Sequence, residues 1–192
     1  MTASIQREFS FHAGTHINCF QIGCFEFNLF MEIETESPHE QNVAMDRLKM
    51  FTYDCLNDAV FVNSKDKKTI DKYLACGLKV CTLPEDPHDQ MIMVMLYKKL
   101  TAIVEGRLVL LEISLTSSNG DGISYIHAID EHAGPYELSG WWDKSDVSIS
   151  DEKKSKDKVV NLFARAPSWD EIGLGWKERE VSLIPDIPFQ TV

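Results

Sequence analysis

Residues 25–33 read FEFNLFMEI, and this stretch decides the fold class. Every second residue from Phe25 to Ile33 is apolar, and most of the residues between them are polar or charged. Because side chains alternate between the two faces of a strand, the pattern predicts a strand with one buried and one wet face. A sheet of such strands needs helices on its buried face to complete a core. We therefore expect an α+β fold.

Two antiparallel hairpins are predicted around this strand. Residues 5–11 (IQREFSF) have strand composition and would pair with residues 25–33 through a turn at residues 13–15. Residues 108–117 (LVLLEISLTS) alternate in the same way. The string NGDG at residues 119–122 supplies the turn residues for pairing with residues 123–129 (ISYIHAI).

Three helices are predicted between the hairpins. Residues 40–57 carry apolar side chains at spacings of four, three and four, and Ser37 followed by Pro38 predicts the cap at which this helix begins. A short charged helix ending at Gly77 is expected to turn Ile70, Tyr73 and Leu74 inward, with short strands before and after it. Residues 85–106 (EDPHDQMIMVMLYKKLTAIVEG) predict the longest helix, which opens at Asp86 and ends at Gly106.

The chain is therefore divided into an α+β core domain over residues 1–130 and an irregular extension over residues 131–192. In the core domain the antiparallel sheet would carry the helices on one face. The extension contains a candidate short helix at residues 158–166 and an adjacent pair, Trp141 and Trp142, with no helix or strand of its own. Such a pair must pack on the core, on another subunit or on a ligand, and an interface with a partner subunit is the preferred interpretation.

Composition excludes several classes of function. The 192 residues include 19 Lys and Arg and 30 Asp and Glu, which gives a net charge of −11. Such a chain lacks the positive surface that binds nucleic acid or an anionic membrane, so neither is an expected partner. The first residues carry no apolar run of signal-peptide length, and we expect a cytoplasmic location. Five cysteines without a C-x-x-C spacing argue against a disulfide framework.

Four short strings carry a family resemblance: FHAGTH at residues 11–16, IGC at 22–24, FTYDCLN at 51–57 and PHDQ at 87–90. Together they resemble the tunnelling-fold family of 6-pyruvoyl-tetrahydropterin synthase and 6-carboxytetrahydropterin synthase. FHAGTH at residues 11–16 is similar to the first-strand F-x-A-A-H of that family, and IGC at residues 22–24 lies where the family has H-G-H. FTYDCLN at residues 51–57 is similar to L-D-H-x-x-L-N, and PHDQ at residues 87–90 is similar to P-T-x-E. The resemblance covers about two-thirds of the chain and implies the tunnelling fold.

The resemblance also implies that most catalytic positions are lost. Of the three zinc-binding histidines only His16 could match, and Thr52 and Tyr53 stand where the family has its catalytic Asp-His pair. Leu115 stands in place of the glutamate that grips the pterin ring, and Gln90 in place of the helix-start glutamate. Tyr53 and Gln90 are the residues we expect in any ligand pocket that remains. The ligand would be a small heterocycle of the pterin or purine kind.

His12, His16, Cys19 and Cys24 form a candidate zinc set within thirteen residues. Because side chains alternate along a strand, these four would be separated from one another. Ordinary strand and turn roles are therefore the favoured interpretation. The alternative is a metal site with His12, His16 and Cys24 as ligands. A second ionisable string, HAIDEH at residues 127–132, mixes imidazoles with carboxylates. His127 is in phase with core-facing residues, so we expect a core histidine there and a solvated loop after it.

Three hypotheses for the function follow. The first is a non-catalytic oligomeric or protein-binding module, in which free sheet edges and the tryptophan pair join copies of the chain. The second is a diverged enzyme or sensor that binds a pterin-like or purine-like ring. The third, and least favoured, is a metal-dependent hydrolase. No nucleophile elbow, Walker loop or dinucleotide-binding glycine pattern occurs in the sequence, so the balance favours a protein that is not an enzyme.

Overall fold

Two long strands, β1 (Ser4–His16) and β2 (Phe20–Ile33), lie at the centre of a six-stranded sheet. The computed structural model of the chain describes residues 4–151 and 167–177. The structure also contains three helices, α1 (Pro38–Met50), α2 (Lys67–Ala75) and α3 (Asp89–Val104). The four remaining strands of the sheet are β3 (Ala59–Asn63), β4 (Lys79–Leu83), β5 (Leu108–Ser117) and β6 (Ser124–Ala128). The predicted α+β class is confirmed.

The sheet is mixed, with the order β4-β3-β1-β2-β5-β6. The pairs β1–β2 and β5–β6 are antiparallel, as the two predicted hairpins required, and β2 joins the hairpins by pairing antiparallel with β5. Strands β3 and β4 join the sheet in parallel, β3 beside β1 and β4 beside β3. Parallel neighbours need a crossover connection, and α2 is that connection between β3 and β4.

The first hairpin is longer than predicted. Residues 13–15, expected to form its turn, instead continue β1, and Ala13 and Gly14 lie opposite Gly23 and Ile22. The ring of Phe20 packs directly over Gly14, where a side chain would have to displace it, so this glycine serves close packing and not a turn. The reversal falls at residues 17–19.

One face of the sheet carries the main core. Phe11 stacks on Phe25 and Phe9 on Phe27, each pair with ring centroids 5.2 Å apart. Helices α1 and α3 cover these rings, and the buried core includes most of the apolar residues of α3. Helix α1 begins as the sequence indicated, since the hydroxyl of Ser37 accepts a hydrogen bond from the amide of Glu40. A π-helical turn (Phe51–Leu56) extends its end.

Helix α2 lies on the opposite face, which differs from the expectation that all helices share one face. Its Ile70 and Tyr73 form a separate cluster with Val60 and Val62 of β3 and with Val80 of β4. Leu74, predicted to point inward, is exposed. Helical periodicity identifies the apolar stripe of α2, but the right-handed crossover between two parallel strands decides which face of the sheet that stripe meets.

The extension covers the outer edge of β4 at Thr82. The amide of Thr82 donates to the carbonyl of Ile149 at 3.2 Å, and the Thr82 hydroxyl donates to Ser150 Oγ at 3.1 Å. The indole Nε1 of Trp141 donates to the Thr82 carbonyl at 2.8 Å. These bonds satisfy backbone groups that an edge strand otherwise exposes. The predicted helix at residues 158–166 lies outside the described residues.

None of the helices in the described ranges is long and apolar enough to cross a bilayer.

Candidate functional site

A polar cleft of about 590 Å³ opens where α3 begins. The loop before α3 and the first turn of α3 supply most of its wall, and residues at the end of β3 and in β6 close its sides. The lining residues are Asn63, Lys65, Glu85, Asp86, His88, Gln90, Met91 and Tyr125. Amide, carboxylate, imidazole, ammonium and phenol groups therefore meet in one cleft.

The loop at this cleft is held in place by hydrogen bonds of Asp86 and Asp89. Asp86 was expected to cap α3, but its carboxylate instead accepts a hydrogen bond from Asn63 Nδ2 at 2.8 Å. Helix α3 begins three residues later, and Asp89 accepts a hydrogen bond from the Ser117 hydroxyl at 2.6 Å. The cleft is thus anchored to β3 on one side and to β5 on the other.

The structure separates the two predicted ligand-binding residues. Gln90 lines the cleft. Tyr53 lies on the π-helical turn after α1, where its ring is tilted against Phe9 with centroids 6.3 Å apart, and it is not among the lining residues. A ligand in the cleft would therefore meet Gln90 and Tyr125, a residue that the sequence analysis had not singled out.

The predicted metal ligands are only partly brought together. His12 and Cys24 lie directly opposite each other on β1 and β2, and Cys24 also lines a small depression of about 160 Å³ beside Glu26. His16 is engaged elsewhere, with its Nδ1 2.7 Å from the hydroxyl of Tyr73. Across residues 4–151 and 167–177, no group of three His, Cys, Asp or Glu side chains has the geometry to hold a metal ion.

Trp141 and Trp142 are both enclosed by this chain. They are 0% and 7% exposed, and their ring centroids lie 6.0 Å apart at a steep angle. Nε1 of Trp142 donates to the carbonyls of Tyr136 and Leu138. The pair therefore packs on the chain's own core, one of the three alternatives given by the sequence, and leaves little indole surface for a partner subunit.

His127 occupies the core position expected for it. Its Nδ1 lies 3.3 Å from a carboxylate oxygen of Glu131, and its ring meets Tyr97 edge-on with centroids 4.7 Å apart. Burial lowers the pKa of His127, which the nearby Glu131 carboxylate opposes. His132 is exposed and pairs with Glu137 at 2.7 Å. The string HAIDEH is thus split between a core position and a surface ion pair.

A buried ammonium group was missed by the sequence analysis. Lys99 of α3 is fully buried, and its Nζ donates to the carbonyls of Trp141 at 3.0 Å and Lys144 at 2.7 Å. It also pairs with Asp146 at 3.3 Å. Burial lowers the pKa of Lys99 to about 8, although Asp146 favours the charged form. The available signal was its spacing, since Lys99 lies four residues before Ile103 on the apolar side of α3.

Comparison with known proteins gives a likeness in fold. No family model matches the chain, and no curated protein matches it. The solved structure of 6-pyruvoyl tetrahydropterin synthase from Plasmodium vivax is 9% identical, covers 66% of this chain and 97% of its own, and has a TM-score of 0.44. The corresponding synthase from Plasmodium falciparum is 9% identical, with coverages of 66% and 96% and a TM-score of 0.40. This chain is similar to these synthases in fold alone.

Proposed function

We propose that the chain is a non-catalytic module that self-associates through the outer edge of β6. The observation that carries the proposal is the contrast between the two edges of the sheet. The extension covers β4, whereas no described strand pairs with the outer side of β6. An unpaired edge is a template for another strand unless it is charged, bulged or covered.

The backbone of β6 has groups available for such pairing. The amide of Ile129, which follows β6, donates to the carbonyl of Leu111 in β5, so alternate residues before it also direct their backbone toward β5. The backbone of Ser124 and Ile126 is then directed outward. Ala128 also faces outward, but its amide donates to the carboxylate of Glu131 at 3.2 Å. Ser124 and Ile126 therefore offer the pairing groups of this edge.

The side chains at this edge favour a second copy of the chain as the partner. Ile123, Ile126 and Ile129 are each about half exposed, at 52%, 59% and 49%. Residues 123–129 contain no Asp, Glu, Lys or Arg, although 26% of the chain is charged. Two identical edges can therefore approach without like-charge repulsion and bury their isoleucines together.

Two further positions support a non-catalytic role. Thr52 stands where the resembled family has a catalytic group, and its buried hydroxyl donates to the carbonyl of Leu48 at 2.9 Å. Leu115, in place of the family's ring-gripping glutamate, is fully buried. Both side chains serve the core of this protein.

Replacing Ile126 with lysine should disrupt the assembly. Light scattering at tens of micromolar should give the unmodified chain a mass above the 21.9 kDa of one copy. Ile126→Lys should lower it toward that value, because lysine on an edge strand opposes pairing and like charges across two paired strands repel each other.

Leu138→Lys is the matched control, since Leu138 is 74% exposed and lies off the sheet. It should leave the mass unchanged. An unmodified chain that is monomeric under these conditions would refute the proposal, and so would an Ile126→Lys variant that keeps its full assembly mass.

A second candidate function, binding of a small heterocycle, is favoured by the cleft at α3. The Gln90 amide presents a donor and an acceptor side by side, which complements the edge of a purine or pterin ring, and the Tyr125 ring offers an apolar surface beside it. Guanosine is a suitable probe.

In saturation-transfer NMR, guanosine should give a signal with the unmodified chain and lose most of it with Gln90→Ala. Gln21→Ala provides the control, because Gln21 is exposed on β2 and does not line the cleft. Equal signals from the two variants would exclude Gln90 as the ligand-binding group.

A further inference from the structure

Residues 167–177 (PSWDEIGLGWK), named here the bis-tryptophan segment, fold into a turn held by internal bonds. The amide of Ile172 donates to the carbonyl of Ser168 at 3.3 Å, and the amide of Leu174 donates to that of Trp169 at 2.7 Å. Within the described part of the chain, all backbone-to-backbone hydrogen bonds of this segment are internal. The segment therefore meets the rest of the protein as a preorganised unit, which reduces the entropic cost of docking.

The bis-tryptophan segment is seated on Arg47 of α1. The guanidinium carbon lies 3.6 Å from the ring centroid of Trp176 and 4.8 Å from that of Trp169. Nε of Arg47 donates to the carbonyl of Leu174 at 2.8 Å, and its Nη1 pairs with Glu105 at 3.0 Å. The Arg47 side chain is only 2% exposed with the segment in place.

Trp176 is also held from other directions. The guanidinium of Arg107 lies 4.4 Å from its ring centroid, and its Nε1 donates to a carboxylate oxygen of Glu105 at 2.8 Å. Desolvated contacts between arginine and tryptophan are among the stronger cation–π pairs, and these two residue types dominate the energetics of protein interfaces. The seat, formed by Arg47, Glu105 and Arg107, thus has the chemistry of a recognition site.

We infer that this seat is a peptide-binding site for the bis-tryptophan segment, and that a second copy of the chain can supply the segment in place of the chain's own. Seat and segment share no helix or strand, and the sixteen steps from residue 151 to residue 167 can span at most about 55 Å. The same contacts can therefore form within one chain or between two, because exchange of an identical element requires no new surface. This inference does not depend on the β6 edge.

Peptide binding to a vacated seat tests the recognition site. A fluorescein-labelled peptide of sequence PSWDEIGLGWK is titrated with the full chain carrying Trp169→Ala and Trp176→Ala. Its anisotropy should rise to saturation. The unmodified chain should bind it at least about tenfold more weakly, because its own segment competes at a high effective concentration.

A peptide with both tryptophans replaced by alanine is the matched control and should not bind. Circular dichroism verifies that the double variant is folded. If it is not, Trp176→Ala alone serves as the acceptor, since Trp176 is more exposed than the buried Trp169. A folded acceptor that fails to bind the peptide overturns the inference.

Mixing two full-length variants tests exchange between copies. One variant, Arg47→Lys, keeps the segment but loses the planar group that stacks on both indoles. The other carries Trp169→Ala and Trp176→Ala and keeps the seat. Ile126→Lys is present in both, so that the β6 edge cannot contribute. Native mass spectrometry should detect a one-to-one heterodimer in the mixture and only monomers in the separate samples. A mixture that contains only monomers would overturn the exchange of the segment between copies. This outcome is separate from any role of Ile126 in self-association, because both variants carry Ile126→Lys.

Discussion

Trp141→Ala is expected to lower the free energy of unfolding by about 3–5 kcal/mol, the usual cost of removing a large buried aromatic side chain. The Trp141 ring is fully buried, lies 5.5 Å from the ammonium group of Lys99, and donates to the carbonyl of Thr82. Its loss leaves a cavity and takes a hydrogen bond from the edge of β4. Urea denaturation followed by circular dichroism measures the change.

Leu138→Ala is the control for this measurement, because Leu138 belongs to the same extension but is mostly exposed. Its effect should stay within about 0.5 kcal/mol. If Trp141→Ala and Leu138→Ala have similar stabilities, the indole is not part of the core. The burial of Trp141 also means that a change in assembly mass on its replacement would report a damaged fold and not a lost interface.

Lys99 should make the protein more stable as the pH rises from 8 to about 10.5. Below pH 8 this lysine is protonated in both the folded and unfolded states, so it contributes no slope. Between its folded pKa of about 8 and its ordinary value of 10.5, only the unfolded chain keeps the proton. Stability must then rise with pH, by about 3 kcal/mol over the whole interval.

Comparison with Lys99→Met isolates this contribution, since the other titrating groups are common to both proteins. The nearby Cys55 titrates with the opposite sign, because burial raises its pKa from the ordinary 9.0 to about 11. Both proteins therefore carry Cys55→Ala, so that the coupling of this thiol to Lys99 does not enter the difference. The stability of the parent protein with Cys55→Ala alone, relative to Lys99→Met, should increase from pH 7 to pH 10.5. Lys49→Met is the control, because Lys49 is half exposed. The stability of the same parent protein relative to Lys49→Met should show no comparable increase over the same pH range. A flat difference for Lys99→Met would contradict the buried ammonium.

The order of strands and helices was predictable because local patterns carry it. Strand β5 has the predicted bounds, and α1 starts at the predicted serine cap. The face on which α2 lies was not predictable from its stripe, since Ile70 and Tyr73 only indicate that some apolar surface covers them. The partner of that stripe follows from the parallel pairing of β3 and β4, which joins segments far apart in the sequence.

Residues of the candidate site were predictable only where the local sequence around a single position gave a signal. Gln90 lines the cleft at α3, and its role in binding a ligand stays a prediction. Tyr125 lies in the cleft because β6 pairs with β5, a long-range contact without a local signal. Arg47 and Lys99 were not identified because lysine and arginine are usually solvated. Their burial depends on groups more than forty residues away in the chain, namely Leu174 for Arg47 and the Trp141 carbonyl for Lys99.

The bonds at the edge of β4 also bear on how far the proposed assembly could grow through the sheet. Since Ile149 and Trp141 already satisfy the backbone of Thr82, pairing of another strand at β4 is hindered, and in the proposed function each copy pairs through β6. Two such strands complete each other about a twofold axis and leave no site for a third copy. Rings and filaments require two unlike edges on every subunit. Growth through the sheet should therefore stop at a closed pair, which protects an apolar edge from open-ended polymerisation.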